Sequence, residues 1–171
     1  MPDEPKRIYW DACVFLDDIE GAPEWMPILD ALLEQASETE ELAIYTSTVS
    51  ITEVAFAKAE KDGRALDSTI EAEIDALWND RSAVKLVEFN EIIARGARNL
   101  IRRAVEQGRQ LKPLDAIHLV TAQNRRVAEF HTTDDRLQKG WHDLGFLIRD
   151  IYRKAATLSY PIVLRTSSSA T

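Results

Sequence analysis

The sequence predicts an α/β protein with a mainly parallel central sheet covered by helices on both faces. Three observations predict it: five apolar runs short enough for strands, longer stretches of helical periodicity between them, and the regular alternation of the two. The chain has 171 residues, 45% hydrophobic and 29% charged, which suffices for one core.

The elements follow in order. "RIYWDA" (7–12) is the first strand, inside the longer run "IYWDACVFL" (8–16), which is apolar at nearly every position except Asp11. A helical pattern covers 25–38 and leads to the strand "LAIYTS" (42–47). Helical patterns at 50–62 and 67–80 precede the strand "AVKLVEF" (83–89). The pattern at 90–107 is the clearest, with Ile93, Ala97, Leu100, Ile101 and Ala104 on one side and Gly108 suited to a C-terminal cap. A helix at 114–125, the strand "VAEFHT" (127–132), a helix at 134–142 and the strand "GFLIRDI" (145–151) complete the series. No internal repeat or linker divides the chain. "LSYPIVL" reads as either a short added strand or a docking segment, and "LRTSSSAT" (164–171) has the composition of a disordered end.

A single cysteine, Cys13, excludes an internal disulfide and gives no sign of a thiolate metal site; its apolar setting predicts a buried, inert thiol. The polar N-terminus "MPDEPKRI" has no signal-peptide pattern, and no apolar stretch approaches the ~20 residues of a membrane helix. The expectation is a cytoplasmic protein. Net charge is −8, which argues against indiscriminate nucleic-acid binding, but the charge is unevenly spread. Residues 17–80 hold 17 acidic and 3 basic residues, whereas 92–126 hold 8 basic and 2 acidic ones. Two faces with different partners, or helix surfaces of uneven charge, both fit this split.

Asp11 raises the chemical question, because an ionised carboxylate inside an apolar run is costly unless something compensates it. Other acids recur at comparable places: Glu53 after the second strand, Asp115 at the start of the helix in "KPLDAIHL", and Asp134 after the fourth strand, with Asp135 beside it. Each has a bland reading. Ser50-Ile51-Thr52-Glu53 has the form of a capping box, and Asp115 and Asp134 suit the positive end of a helix dipole. A capping role is less natural for Asp11, which precedes "ACVFL". Taken together, carboxylates brought to one edge of a parallel sheet repel one another unless a cation intervenes. Hard divalent ions such as Mg²⁺ or Mn²⁺ prefer such oxygen donors, and that combination suits phosphodiester hydrolysis.

"YWDACVFL", "STVSITEVAFA", "LKPLDAIHLVTAQ" and "FHTTDDRL", in that order, resemble the PIN-domain ribonucleases, particularly the VapC-like toxins of prokaryotic toxin–antitoxin pairs. The resemblance spans about residues 7–150 and implies a three-layer α/β/α sandwich, with a PIN-like nuclease domain over 1–155 and an extension over 156–171. It implies a Mg²⁺- or Mn²⁺-dependent RNA endonuclease, a cognate antitoxin whose basic side chain enters the carboxylate site, and a homodimer. By position, Asp11, Glu53, Asp115 and Asp134 match the family's acidic quartet and Thr132 its strand-end hydroxyl. Asp11, Asp115 and Asp134 would be metal ligands, with Glu53 binding a second ion or orienting the attacking water. Asp135 is extra and placed either to substitute for Asp134 or to assist it. The sequence departs from the family pattern at Cys13, where Asn or Ser is common, and at Leu137, where an aromatic is common.

Arg95, Arg98 and Arg102 form a stripe opposite the apolar side of helix 90–107, either tracking an RNA backbone or forming an ordinary solvated face. His118, one turn after Asp115, is expected to pack or hydrogen-bond near the site. Ser47, at the end of the second strand, would bond a carboxylate, a water or its own turn. The four tryptophans are too scattered for a base-stacking platform and read as core. Two other functions compete. A phosphoacceptor receiver domain would need an acidic neighbour for Asp11 and a lysine where the fifth strand has Arg149. A catalytically silent PIN-like RNA- or protein-binding module would not need the intact quartet.

Overall fold

Strand alternation sends Ile8 and Trp10 to one face of the first strand and Tyr9 to the other, and all three are fully buried. Burial on both faces is the condition of a strand inside a parallel sheet. In the computed structural model, which describes residues 4–21, 23 and 25–152, these residues belong to β1 (Lys6–Trp10). Four more strands follow: β2 (Leu42–Ser47), β3 (Val84–Val87), β4 (Glu129–His131) and β5 (Leu147–Arg149). The sheet has the order β3-β2-β1-β4-β5, and every pair is parallel. Ile8 lies between Ile44 and Glu129 in register, which puts β1 at the centre.

The helices are α1 (Ala12–Glu20), α2 (Met26–Glu38), α3 (Ser50–Glu53), α4 (Lys58–Gly63), α5 (Ser68–Asn79), α6 (Glu91–Glu106) and α7 (Pro113–Asn124). Phe15 of α1, Leu29 and Leu32 of α2, and Ile74 and Trp78 of α5 pack with Ile8, Trp10 and Ile44. Leu100 and Ala104 of α6 and Leu119 and Ala122 of α7 pack with Tyr9 and Phe130 on the opposite face. This is the three-layer α/β/α sandwich anticipated from the sequence. Each such large apolar side chain contributes roughly 1.5–3 kcal/mol by leaving water.

The strand order also locates the site. The chain steps outward from β1 through β2 to β3, then returns to build β4 and β5 on the other side of β1. The direction reverses between β1 and β4, and open α/β sheets gather ligands outside the carboxyl ends of strands at that place.

Three local expectations need correction. β1 ends at Trp10, and the rest of its apolar run is α1 rather than strand. Asp11 is the N-cap of that helix, with φ −82°, ψ 176° and its side chain accepting from the Cys13 N–H; the capping role that the sequence makes less natural is the one it fills. The helix expected at 50–62 is two helices separated by bends at 54–56, and the short α3 has Val49 at its N-cap with no side-chain cap bond. No capping box forms there, because the Ser50 hydroxyl is taken by Thr46 Oγ1 at 2.7 Å. The segment 134–142 is a series of turns, not a helix. It is pinned by the Arg109 guanidinium, which lies 3.9 Å from the Trp141 ring centroid and donates to the Gly140 carbonyl. Helices 67–80, 90–107 and 114–125 are present as α5, α6 and α7, and Gly108 follows the last turn of α6 with φ 68°. "LSYPIVL" and the 156–171 extension lie outside the described residues.

Candidate active site

Four chain segments deliver carboxylates to one cleft. Asp11 is the first residue beyond β1, and Glu53 ends α3 after β2. Asp115 is the third residue of α7, after the helix-starting Pro113, and Asp134 follows β4 by three residues. All four line a cavity of about 580 Å³, together with Cys13, Lys112, His118 and Arg136.

Asp11 is buried and burial pushes its carboxyl above the usual range, while hydrogen bonds from Cys13 and Thr132 pull it back. The Cys13 thiol lies 2.6 Å from Asp11 Oδ1, and the Cys13 N–H lies 3.2 Å from the same oxygen. Burial and the adjacent Asp11 charge push the thiol up, so it stays a protonated donor. It is only partly buried and is a working partner of Asp11, not the inert core thiol read from sequence. Cys13 Sγ also accepts from the Thr133 N–H at 3.1 Å, which ties α1 to the segment after β4.

Thr132 is fully buried, and its hydroxyl accepts from the Asp134 N–H at 3.0 Å. Asp134 is held below the usual range by Arg136, whose Nε donates to Oδ1 at 2.9 Å and whose Nη2 reaches Oδ2. Burial and the charge of Asp134 raise Asp115, opposed by Arg136 and Lys112.

His118 is buried, with Nε2 2.6 Å from Glu53 Oε2 and Nδ1 2.7 Å from the Tyr9 hydroxyl. The Ser47 N–H donates to the same Tyr9 oxygen at 2.9 Å.

The structure thus brings together Asp11, Glu53, Asp115, Asp134, Thr132 and His118. Ser47 serves its own turn, its hydroxyl accepting from the Val49 N–H at 3.4 Å, and its backbone rather than its side chain reaches toward the site through Tyr9. Asp135 is exposed and outside the cleft lining. Arg95, Arg98 and Arg102 are exposed on α6 and also outside it; Arg95 pairs with Glu91 at 2.6 Å and Arg98 reaches Asn99 Oδ1 at 3.5 Å. The cations that do line the cleft, Lys112 and Arg136, were missed, as was Tyr9. The signal for the cations was adjacency alone, in "KPLD" and "DDR".

Among the described residues, no group of three or more His, Cys, Asp and Glu side chains is placed to hold a metal ion as it stands. The donor chemistry nevertheless fits a hard divalent cation. Both His118 nitrogens are engaged and the Cys13 thiol is protonated, which leaves carboxylate oxygens, and the upward push of Asp134 on Asp115 is the repulsion a cation relieves. Arg136 supplies the positive charge on Asp134 in this structure.

An all-parallel sheet covered by helices on both faces, with carboxylates at the reversal of its strand order, defines an open α/β fold with a cleft beyond its strand ends. The chain belongs to the PIN domain family, whose model matches residues 8–140. A search of the curated proteins returned no match. Among solved structures, the chain is similar to DNA-bound VapBC from Salmonella typhimurium (TM-score 0.62, 16% identity, covering 85% of this chain and 98% of that one). It is similar to VapBC2 from Rickettsia felis bound to a promoter DNA fragment (TM-score 0.61, 10% identity, 84% and 97% coverage). It is also similar to VapC20 from Mycobacterium tuberculosis, a toxin that cleaves the sarcin–ricin loop (TM-score 0.57, 13% identity, 78% and 95% coverage). At these identities the likeness is one of fold.

Proposed function

We propose that this chain is a divalent-metal-dependent endoribonuclease that hydrolyses RNA phosphodiester bonds, and that it is the toxin of a toxin–antitoxin pair. The observation that carries the reading is the convergence of Asp11, Glu53, Asp115 and Asp134 on one cleft at the reversal of strand order. PIN family membership supports the nuclease class, and the toxin–antitoxin complexes among the structural neighbours support the pairing.

Asp11, Asp115 and Asp134 would hold Mg²⁺ or Mn²⁺. When bound, the ion would activate water and stabilise the leaving oxygen. Asp11 is oriented for this by the Cys13 and Thr132 donors, and Asp134 is fixed by the Thr132 hydroxyl on its N–H. Glu53 would orient the attacking water or contribute to a second ion. Lys112 and Arg136 would draw the phosphate backbone into an otherwise acidic cleft. In-line attack would leave a 5′-phosphate and a 3′-hydroxyl. An antitoxin would silence the site by adding a basic side chain among the carboxylates. A homodimer and a cytoplasmic setting accompany the reading; among the described residues no helix is long and apolar enough to cross a membrane.

The test is cleavage of a mixed cellular RNA preparation by the purified chain with Mg²⁺ or Mn²⁺. Cleavage that stops with a chelator and with Asp11→Ala in a folded protein supports the reading. Cleavage by Asp11→Ala at the wild-type rate, or none by wild type with either ion, contradicts it.

A further inference from the structure

Glu53 does not stand alone at the cleft. It is the outer end of a chain of hydrogen bonds that runs inward to the central strand, through His118 (2.6 Å), Tyr9 (2.7 Å) and the Ser47 N–H (2.9 Å). Four segments meet in it: α3, α7, β1 and the end of β2. Tyr9 is fully buried and His118 nearly so, while the Glu53 side chain keeps about a quarter of its surface open.

The direction of each bond follows from the groups. The Ser47 N–H can only donate, so it takes a lone pair of the Tyr9 oxygen. An ionised carboxylate can only accept, so His118 Nε2 carries a proton toward Glu53. In the neutral ring Nδ1 is then the acceptor, and the Tyr9 hydroxyl supplies its proton. Burial pushes the Tyr9 phenol far up, so this donor does not ionise. Ring stacking holds the donor in place, with the Tyr9 and Phe130 centroids 5.1 Å apart.

We infer that Tyr9 and His118 are positioning residues for Glu53: they fix one carboxylate oxygen and the imidazole tautomer, so that the other oxygen is presented to the cleft in one orientation. Neither needs to touch RNA. The inference rests on the ribonuclease reading for its kinetic consequence, but the hydrogen-bond chain is observable without turnover. Removal of such supporting partners of site ligands lowers activity roughly 10- to 100-fold.

The experiment compares wild type, Tyr9→Phe, His118→Ala and His118→Gln, with Mn²⁺ and a fluorogenic single-stranded RNA, beside the ¹⁵N spectrum of the His118 ring. Tyr9→Phe and His118→Ala are expected to lower kcat by about 10- to 100-fold with KM and Mn²⁺ requirement unchanged. His118→Gln, which keeps a donor near the Nε2 position, is expected to recover most of the rate. The wild-type ring is expected to carry its proton on Nε2. A folded His118→Ala that cleaves at the wild-type rate overturns the inference, as does a His118→Gln no better than His118→Ala. If His118→Ala does not melt cooperatively, Tyr9→Phe decides: a wild-type kcat overturns the inference. If wild type cleaves nothing with either ion, the ribonuclease reading fails instead. The ring spectrum then decides alone: a proton on Nε2 that loses that preference in Tyr9→Phe supports the chain, and a proton on Nδ1 overturns it.

Discussion

The thiol of Cys13 lies 2.6 Å from Oδ1 of Asp11 and donates to it. The two residues are adjacent in space because Asp11 caps the helix in which Cys13 is the second residue. A cleft-lining carboxylate is thereby held by the element it starts. Losing the donor leaves a buried acceptor short of a partner.

Cys13→Ala is therefore expected to destabilise the ion-free protein by about 1–3 kcal/mol, measured by urea unfolding at neutral pH. Cys13→Ser, which keeps a donor, is expected to lose less than half of that. Equal losses in the two variants would show that the thiol contributes only packing.

Acid stability is expected to follow Glu129. It is buried in the sheet beside Lys6 (2.9 Å), His131 (3.0 Å) and Arg149 (3.5 Å). Burial alone would lift its carboxyl, but hydrogen bonds and charges from His131 and Lys6 bring it down to about 2 from an ordinary 4.5. The folded value lies below the unfolded one, so the contribution is full above 4.5 and is lost as pH falls toward 2. It amounts to at most about 3 kcal/mol. His131, held down by burial, adds a loss in the same direction that begins nearer neutrality. Glu129→Gln should flatten the stability curve between about pH 4.5 and 2 while costing stability at pH 7; an unchanged slope would contradict the assignment.

The contact of α6 with α7 depends on Gly96. A Cβ there would stand 2.7 Å from Val120 Cγ1, on a β-branched side chain with little freedom to turn away. Gly96→Ala gains about 1 kcal/mol of helix propensity and loses about 1–3 kcal/mol to overpacking. It should lower Tm, and Gly96→Ala combined with Val120→Ala should regain stability over Gly96→Ala alone. Additive losses would place the tight contact elsewhere.

The exposed arginines of α6 have their own test. If Arg95, Arg98 and Arg102 track an RNA backbone, reversing all three charges should weaken RNA binding. It should also reduce the slope of log affinity against log salt by about 2. An unchanged slope would leave RNA contacts to Lys112 and Arg136 at the cleft.

The convergence of the acids was legible because each stands next to a strand end or helix start, and the β/α alternation dictates that such ends share one rim. Less was legible where one pattern serves two elements. "IYWDACVFL" is apolar throughout its flanks, and a buried strand running into a buried helix looks the same as one long strand, so α1 and the cap at Asp11 were lost in it. Leu137 and Trp141 have the four-residue spacing of a helix face, yet they enter the core from turns that Arg109 holds in place. The partner of Glu53 was illegible for another reason. His118 lies 65 residues away, and nothing local to either residue announces the bond. Tyr9 gave no signal beyond strand alternation.

The central claim is that a divalent ion is held among Asp11, Asp115 and Asp134, and thermal melting under Mn²⁺ titration tests it most directly. Wild type is expected to gain Tm progressively with Mn²⁺, by about 2.7 kcal/mol of added stability once the ion reaches 100 times its Kd, and folded Asp115→Asn is expected to lose that gain. A Tm that ignores millimolar Mn²⁺ in wild type, or that rises equally in Asp115→Asn, would contradict it.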